Sequence, residues 1–365
     1  MWSDSYAAVC SDNNIEPREE IKASTGGSLK IYGNIFENFK NRLQDDEVKA
    51  IVEASCTTPV ISELIFPYNS ITSKGAVAIA EGLRGGMDTI ITLDLSHNSI
   101  DEEGGIAIAE SAQQCRSISR LLLSDNPIGG RCGPALGEML KLLPSLVELD
   151  LYNTDLDMKA LVYMAQGLQE TQSLRTLNIG KPLLTNPDDI NYVVHHLSTA
   201  IQRNKTIQHL TMSHFGLTDS HLETLLMPIC GSNVIHLSLK GNKLSQDSGS
   251  LLAKMLERKD KLQFLDASFN RLRDKGGIAM APSVKNHNSL KSLVLNNNGM
   301  GTPGISGIVS AVCDCPSLSS LLLWGNDFSD GIAKEIYYAK DRLEELEECD
   351  FALYMVGEEP SVYRK

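Results

Sequence analysis

An α/β solenoid, with a parallel β-sheet on the concave face and helices on the convex face, is the fold class this sequence predicts. Three observations carry it. Residues 90–109 read IITLDLSHNSIDEEGGIAIA: Leu93 and Leu95 alternate as on a short strand, Asn98 follows, Ile100 returns to an apolar position, and a Gly pair opens an apolar helical run. The Asn slot then recurs at Asn69, Asn98, Asn126, Thr154, Pro182, Phe215, Asn242, Asn270, Asn298 and Asn326, at steps of 29, 28, 28, 28, 33, 27, 28, 28 and 28 residues. Finally, one such unit cannot bury its apolar face alone, so it requires stacked neighbours.

The spacing Leu-x-x-Leu-x-Leu-x-x-Asn-x-Leu is that of a leucine-rich repeat. Ten units in phase predict a horseshoe whose strands line the inner curve. A solenoid lengthens one unit at a time, so 365 residues need not divide into several globular domains.

Residues 1–28 are polar and without sustained period, and read as an N-terminal tail that is disordered or laid on a partner. Residues 29–58 read as a half-repeat plus capping helices. Leu29, Ile31 and Asn34 resemble a partial unit, and Ile35, Phe36, Phe39, Leu43, Val48, Ile51 and Val52 recur at helical spacing. Residues 59–330 hold the ten repeats of about 28 residues. Gly75, Gly104, Gly133, Gly249, Gly276 and Gly304 lie six or seven residues past the Asn slot, where a small residue lets the helix approach the sheet.

The centre is irregular. Thr154, Pro182 and Phe215 replace Asn, which weakens the hydrogen-bonded ladder at the strand exits. The extra residues fall within 184–192, LLTNPDDINY less its first residue, and are expected to project as a loop bearing Asp188, Asp189 and Tyr192. That loop is either a tolerated irregularity or a binding element. Residues 331–365 read as a C-terminal capping helix, with Ile332, Ile336, Leu343 and Leu346 as its apolar stripe, followed by an extended tail.

Composition narrows the function classes. With 33 basic and 46 acidic residues the net charge is −13, which opposes a general nucleic-acid or anionic-membrane binder. Eight cysteines lie scattered at 10, 56, 115, 132, 230, 313, 315 and 349, and only the C-x-C pair is close, which suits small apolar fillers in a reducing compartment. The N-terminus has neither a basic start nor an apolar core, so no secretory signal is read. No apolar run is long enough to span a membrane. A cytosolic or nuclear-cytosolic setting, or an intracellular assembly, is expected.

Candidate binding residues come from the strand positions that point inward. The early units present Glu63, Asp94, Leu122, Glu148, Asp150 and Tyr152; the middle units Asn178, His209, Thr211, His236 and Lys240; the late units Phe264, Asp266, Val294, Leu322 and Trp324. The inner face therefore runs from acidic to apolar and aromatic. Phe264, Val294, Leu322 and Trp324 are expected to form one patch that holds a partner, unless the C-terminal cap folds over it.

No phosphate-binding loop, zinc-protease motif or nucleophile elbow is present. His195 and His196 are adjacent and would diverge on a helix, while His209 and His236 share a strand slot without a third ligand, so no metal and no cofactor is expected. Arg131, in SDNPIGGR, resembles the loop arginine of the Ran GTPase-activating proteins, which would supply charge to a phosphoryl-transfer transition state. The match is short and lacks that family's acidic C-terminal tract, and an exposed structural arginine is the preferred reading.

A narrower resemblance covers Leu146 to Phe328. The runs SLVELDLYNTDLDMKALVYMAQGL, SLRTLNIGKPLL, NPDDINYVVHHL and LLLWGNDF, with LKIYGN near the start, resemble the leucine-rich repeat-containing protein 34 family, related in shape to ribonuclease inhibitor. The resemblance implies a non-enzymatic protein-binding scaffold of the motile-cilium axoneme, at a radial spoke or neighbouring doublet-microtubule complex. Its partners would be other axonemal proteins, with no nucleic acid, membrane or obligate homo-oligomer. A nucleolar or germ-cell adaptor is the competing implication. No site residues carry over from that family.

Overall fold

The computed structural model describes residues 2–23, 27–36, 38–328 and 330–365, with Asp330 described by its backbone alone. The chain forms two compact units, Met1–Ile207 and Gln208–Lys365.

In the first unit, helices α1 (Trp2–Asp12) and α2 (Glu19–Lys22) precede strand β1 (Ser28–Lys30) and helix α3 (Asp45–Thr57). Strand and helix then alternate through β2 (Glu63–Ile65), α4 (Ser73–Gly85), β3 (Thr92–Asp94), α5 (Glu102–Ala112), β4 (Arg120–Leu122) and α6 (Gly133–Leu142). The unit closes with β5 (Glu148–Asp150), α7 (Met158–Glu170), β6 (Thr176–Asn178) and α8 (Pro187–Arg203). Strands β1 to β6 pair in parallel in chain order.

The second unit continues the alternation with β7 (His209–Thr211), α9 (Asp219–Gly231), β8 (His236–Ser238), α10 (Ser248–Arg258), β9 (Phe264–Asp266) and α11 (Arg273–Lys285). Then follow β10 (Ser292–Val294), α12 (Thr302–Cys313), β11 (Ser320–Leu322), α13 (Asp330–Tyr338), α14 (Lys340–Glu344) and β12 (Glu348–Cys349). Strands β7 to β12 are again parallel and sequential. Strands β13 (Phe351–Val356) and β14 (Glu359–Arg364) make an antiparallel hairpin.

The three-residue strands are anchored by their middle Leu: Leu64, Leu93, Leu121, Leu149, Leu210, Leu237, Leu265, Leu293 and Leu321 all lie in the core. Each contributes roughly 2 kcal/mol by leaving water. Its neighbours on either side point to the open face of the sheet, away from the helices. Helix starts are fixed by short polar caps, with Thr72, Asp101, Asp157 and Asn186 accepting from backbone N–H groups of α4, α5, α7 and α8.

The Asn slot supplies the link between turns. Asn126 Nδ2 donates to Leu95 O of the preceding turn and to Leu123 O and Ser124 O of its own, at 2.8, 3.0 and 3.3 Å; its Oδ1 accepts from Ile100 N at 3.0 Å. Asn98, Asn270 and Asn298 repeat the set. Asn69, Asn242 and Asn326 keep its main bonds. At Thr154 the hydroxyl keeps one bond, to Leu151 O at 2.7 Å. Phe215 fills its slot with a buried ring.

The small residues past the Asn slot work differently from the expectation. A methyl group on Gly249 would sit 2.3 Å from Gly276 Cα, and one on Gly133 would sit 2.3 Å from Ala160 Cα. These are helices of consecutive repeats, so the glycines let helix approach helix rather than helix approach sheet.

Several segment expectations are corrected. The tail expected over 1–28 contains α1, whose Trp2, Tyr6 and Cys10 are buried at spacing i, i+4, i+8 and pack with α3. Trp2 Nε1 donates to Ser55 Oγ at 3.3 Å, and the buried Arg18 guanidinium is held by Glu47 and Glu20. Three large residues in a polar run suffice because α3 offers them a surface. Over 29–58 there is one long helix, α3. Ile35, Phe36 and Phe39 lie in an irregular segment and are exposed, Phe36 by 95%, and Asn34 is exposed outside the ladder.

The expected loop at 184–192 is also corrected. Asp188, Asp189 and Tyr192 belong to the first two turns of α8, whose 17 residues absorb the added length. Pro187 at the first position and two carboxylates in the first turn favour the helix there. At the other end the repeat runs past 330. Cys349 stands where earlier strands have Leu, opposite Leu321, and the expected extended tail is the β13–β14 hairpin.

Replacing Asn126 by Ala removes four hydrogen bonds and strands buried carbonyls, so unfolding should become easier by about 3 kcal/mol, whereas Thr154→Ala should cost about 1 kcal/mol. Urea denaturation of the two variants measures the difference.

Candidate functional site

The open sheet face of the second unit brings together the residues with binding character. At the first strand position His209, His236 and Phe264 stack, with ring centroids 5.1 Å and 3.8 Å apart and planes within 16° and 9°. Beyond Phe264 the register continues with Ser292, Ser320 and Glu348. At the third position the order is Thr211, Ser238, Asp266, Val294 and Leu322. Two residues past Leu322 comes Trp324.

The four expected patch residues are all half-buried, but they do not form one block. Val294 lies beside Leu322, while Phe264 belongs to the neighbouring row and joins the histidines. Trp324 is partly covered by its own chain: its ring stacks on Phe328 at 5.5 Å, and Phe328 meets the buried Phe351 at 5.2 Å. The Asp350 carboxylate accepts from Leu323 N at 2.9 Å and from Trp324 N at 3.0 Å, and also holds the Asn296 side chain. Trp324 is therefore as much part of the cap as of the face.

His236 is held neutral: burial, then repulsion from His209, pushes its imidazole down to about 4, against a smaller opposing pull from Asp266. His236 thus contributes a flat ring rather than charge. Among the described residues no group of three or more His, Cys, Asp or Glu is placed to hold a metal ion, and no helix is long and apolar enough to cross a membrane.

The first unit presents a different face. Leu122 is half-buried between Asp94 and Asp150 in the register, and Arg120 Nε lies 2.6 Å from Glu148 Oε2. Burial, with help from Glu148, Asp125 and Asp94, raises the Asp150 carboxyl above the usual carboxylate range. Asp94, Asp150 and Asp266 each accept from the backbone N–H two residues on, so these carboxylates also terminate their strands. Asp188, Asp189 and Tyr192 are on α8 of the first unit, where Tyr192 meets His196 edge-on at 4.6 Å. Arg131 lies in a three-residue 3₁₀ turn, its side chain 80% exposed and 3.3 Å from Glu102.

One row was missed by sequence reasoning. The residue before the Asn slot adopts positive φ: Tyr68, His97, Asp125, Asn153 and Lys181 in the first unit, between 53° and 61°, and His214, Phe269 and Asn297 in the second. Their side chains meet along the turn. Tyr68 stacks on His97 at 3.9 Å, His97 Nε2 lies 3.4 Å from Asp125 Oδ2, and Asn153 Nδ2 donates to Asp125 Oδ1 at 2.6 Å. Lys240 lies over the Phe269 ring at 5.2 Å. The available signal was the recurrence of Asn, Asp, His and Gly at that one position.

Two segments, residues 89–109 and 286–309, match the family described as Leucine Rich repeat. Curated relatives include NACHT, LRR and PYD domains-containing protein 12 of Mus musculus, 24% identical over 331 residues, covering 80% of this chain and 30% of the relative. Protein phosphatase 1 regulatory subunit 37 homolog of Caenorhabditis briggsae is 26% identical over 200 residues, covering 52% of this chain and 21% of the relative. Tonsoku-like protein of Bos taurus is 27% identical over 265 residues, covering 62% and 17%. The chain thus spans less than a third of the length of these relatives. Among solved structures, an internalin from Listeria monocytogenes aligns over 96% of this chain and 94% of its own at 14% identity, with a TM-score of 0.39.

The neutral His236 ring gives the second unit a pH dependence. His236 titrates lower when folded than its ordinary 6.5, so the unfolded chain takes up the proton first. The stability it contributes is complete above 6.5 and is lost as pH falls toward about 4. The melting temperature should drop over that window, and His236→Phe, which keeps the ring stack without the titration, should flatten part of the slope.

Proposed function

We propose that this leucine-rich repeat protein is a non-enzymatic docking scaffold whose second unit holds a partner protein on its open sheet face. The observation that carries the reading is the pair Val294 and Leu322. Both are apolar and half-buried at a strand position where other strands carry Asp94, Asp150 or Asp266. Carboxylates bonded to their own backbone are tolerated at that position, so aliphatic side chains are not required there for folding and are free to serve contact. Repeat solenoids offer such extended strand faces for binding other proteins.

The setting we propose is the motile-cilium axoneme, at a radial spoke or neighbouring doublet-microtubule complex. Support for it comes from the irregular centre, SLRTLNIGKPLL followed by NPDDINYVVHHL, which resembles the leucine-rich repeat-containing protein 34 family. A role for Arg131 in GTPase activation gains no support from the geometry, because Glu102 pairs with the guanidinium.

The test uses Leu322→Asp with Val294→Asp, which imports the side chain already borne at that position in other strands. In ciliated cells the tagged wild-type chain should sit along the axoneme and cross-link to axonemal proteins. The folded double variant should lose those cross-links at least tenfold with its melting temperature unchanged. Cross-links that persist in a folded double variant remove the docking assignment, and a nucleolar or diffuse distribution removes the axonemal one.

A further inference from the structure

Phe264 is the last ring of its stack. His236 covers one face at 3.8 Å, and the next residues in the register, Ser292 and Ser320, are too small to cover the other. The row beyond Phe264 is therefore a shallow trough floored by two hydroxyls. Ser292 Oγ donates to Ser320 Oγ at 3.1 Å, and Ser320 Oγ donates to Glu348 Oε2 at 2.9 Å. The trough runs from an aromatic face to a carboxylate over about 14 Å, three strand spacings. Val294 and Leu322 form one side of it, with Asp266 beside Phe264 at the near end.

Three carboxylates border the trough, Asp266, Glu348 and, past Leu322, Asp350, while the exposed Lys291 precedes Ser292 at its edge and Lys365 follows the hairpin back to Asp350. Lys240 lies over Phe269 in the turn row, two strands from the trough. An occupant must therefore offer a flat surface for Phe264, positive charge for the carboxylates and apolar area for Val294 and Leu322. A guanidinium is planar and weakly hydrated, so it stacks on a ring while its N–H groups reach acceptors in its plane. An ammonium cannot stack flat, and a neutral aromatic ring brings no charge to balance carboxylates whose internal partners are all neutral donors. We propose that the partner docks an extended segment whose arginine lies on the open face of Phe264, between Asp266 and Glu348, with an adjacent apolar side chain on Val294 and Leu322. This rests on the docking reading above and names its chemistry.

The experiment pans a phage-displayed library of random dodecapeptides on the full chain and on the Phe264→Leu, Phe264→Tyr and Leu322→Asp variants, each first checked for an unchanged melting temperature. The expected result is enrichment of peptides with arginine beside a bulky apolar residue, lost on Phe264→Leu and on Leu322→Asp and kept on Phe264→Tyr. A synthetic enriched peptide should bind about tenfold more weakly when its arginine is replaced by citrulline or lysine. Enriched peptides without arginine, lost on Leu322→Asp but kept on Phe264→Leu, overturn the arginine assignment and leave the docking reading standing. Absence of any enrichment sensitive to either residue overturns both.

Discussion

One amide side chain repeated along the chain sets the spacing of everything else. Each ladder Asn bonds carbonyls of its own turn and of the turn before, and accepts an N–H from the earlier loop, so a turn is registered to its predecessor by polar bonds inside an apolar core. Buried amides left unpaired would be costly, which makes the arrangement specific: any slip of a turn would orphan several groups together. The leucines supply the driving force, and the asparagines supply the register. The division of the chain between Ile207 and Gln208 falls inside the stretch where Thr154, Pro182 and Phe215 replace Asn.

Part of the acidic balance of the chain is spent on its own backbone. Asp94, Asp150 and Asp266 end strands by accepting from the backbone. Asp45 and Asp274 accept from N–H groups at the start of the following repeat's helix, and Asp219 accepts from Ser245 N–H and from the Ser248 hydroxyl. Such carboxylates complete helix and strand ends that would otherwise present bare donors. Net charge read from composition thus overstates the negative surface open to a partner. What remains distinctive is local: an acid-flanked Leu122 on one unit, and stacked rings beside aliphatic side chains on the other.

Much of the fold was legible because Leu pairs and Asn recur in phase, a pattern that only stacked turns satisfy. The departures share a cause, contacts with segments that the period does not describe. Trp2, Tyr6 and Cys10 are three residues in a polar run, and α3 makes them a helix face. Cys349 hides a strand because the Leu that marks the others is missing. Asp188 and Asp189 look like a loop by composition yet suit a helix start after Pro187. The candidate face was legible residue by residue, since strand alternation fixes which side chains point outward. Which of them touch was not, because that depends on the first and third strand positions forming separate rows: Phe264 went to the histidines, and Trp324 to the cap.

Asp350 has a bearing on how the molecule behaves in a crowded solution. In the interior the first amide after a strand, such as Leu95 or Leu295, meets a carbonyl of the next strand; after β11 the carboxylate of Asp350 takes that place at Leu323 and also accepts from Trp324 N, and the pairing that remains, β12, is two residues long. A truncated margin lined by a negative oxygen is a poor template for a foreign strand. The sheet therefore carries its own guard against fibre-like growth at this end.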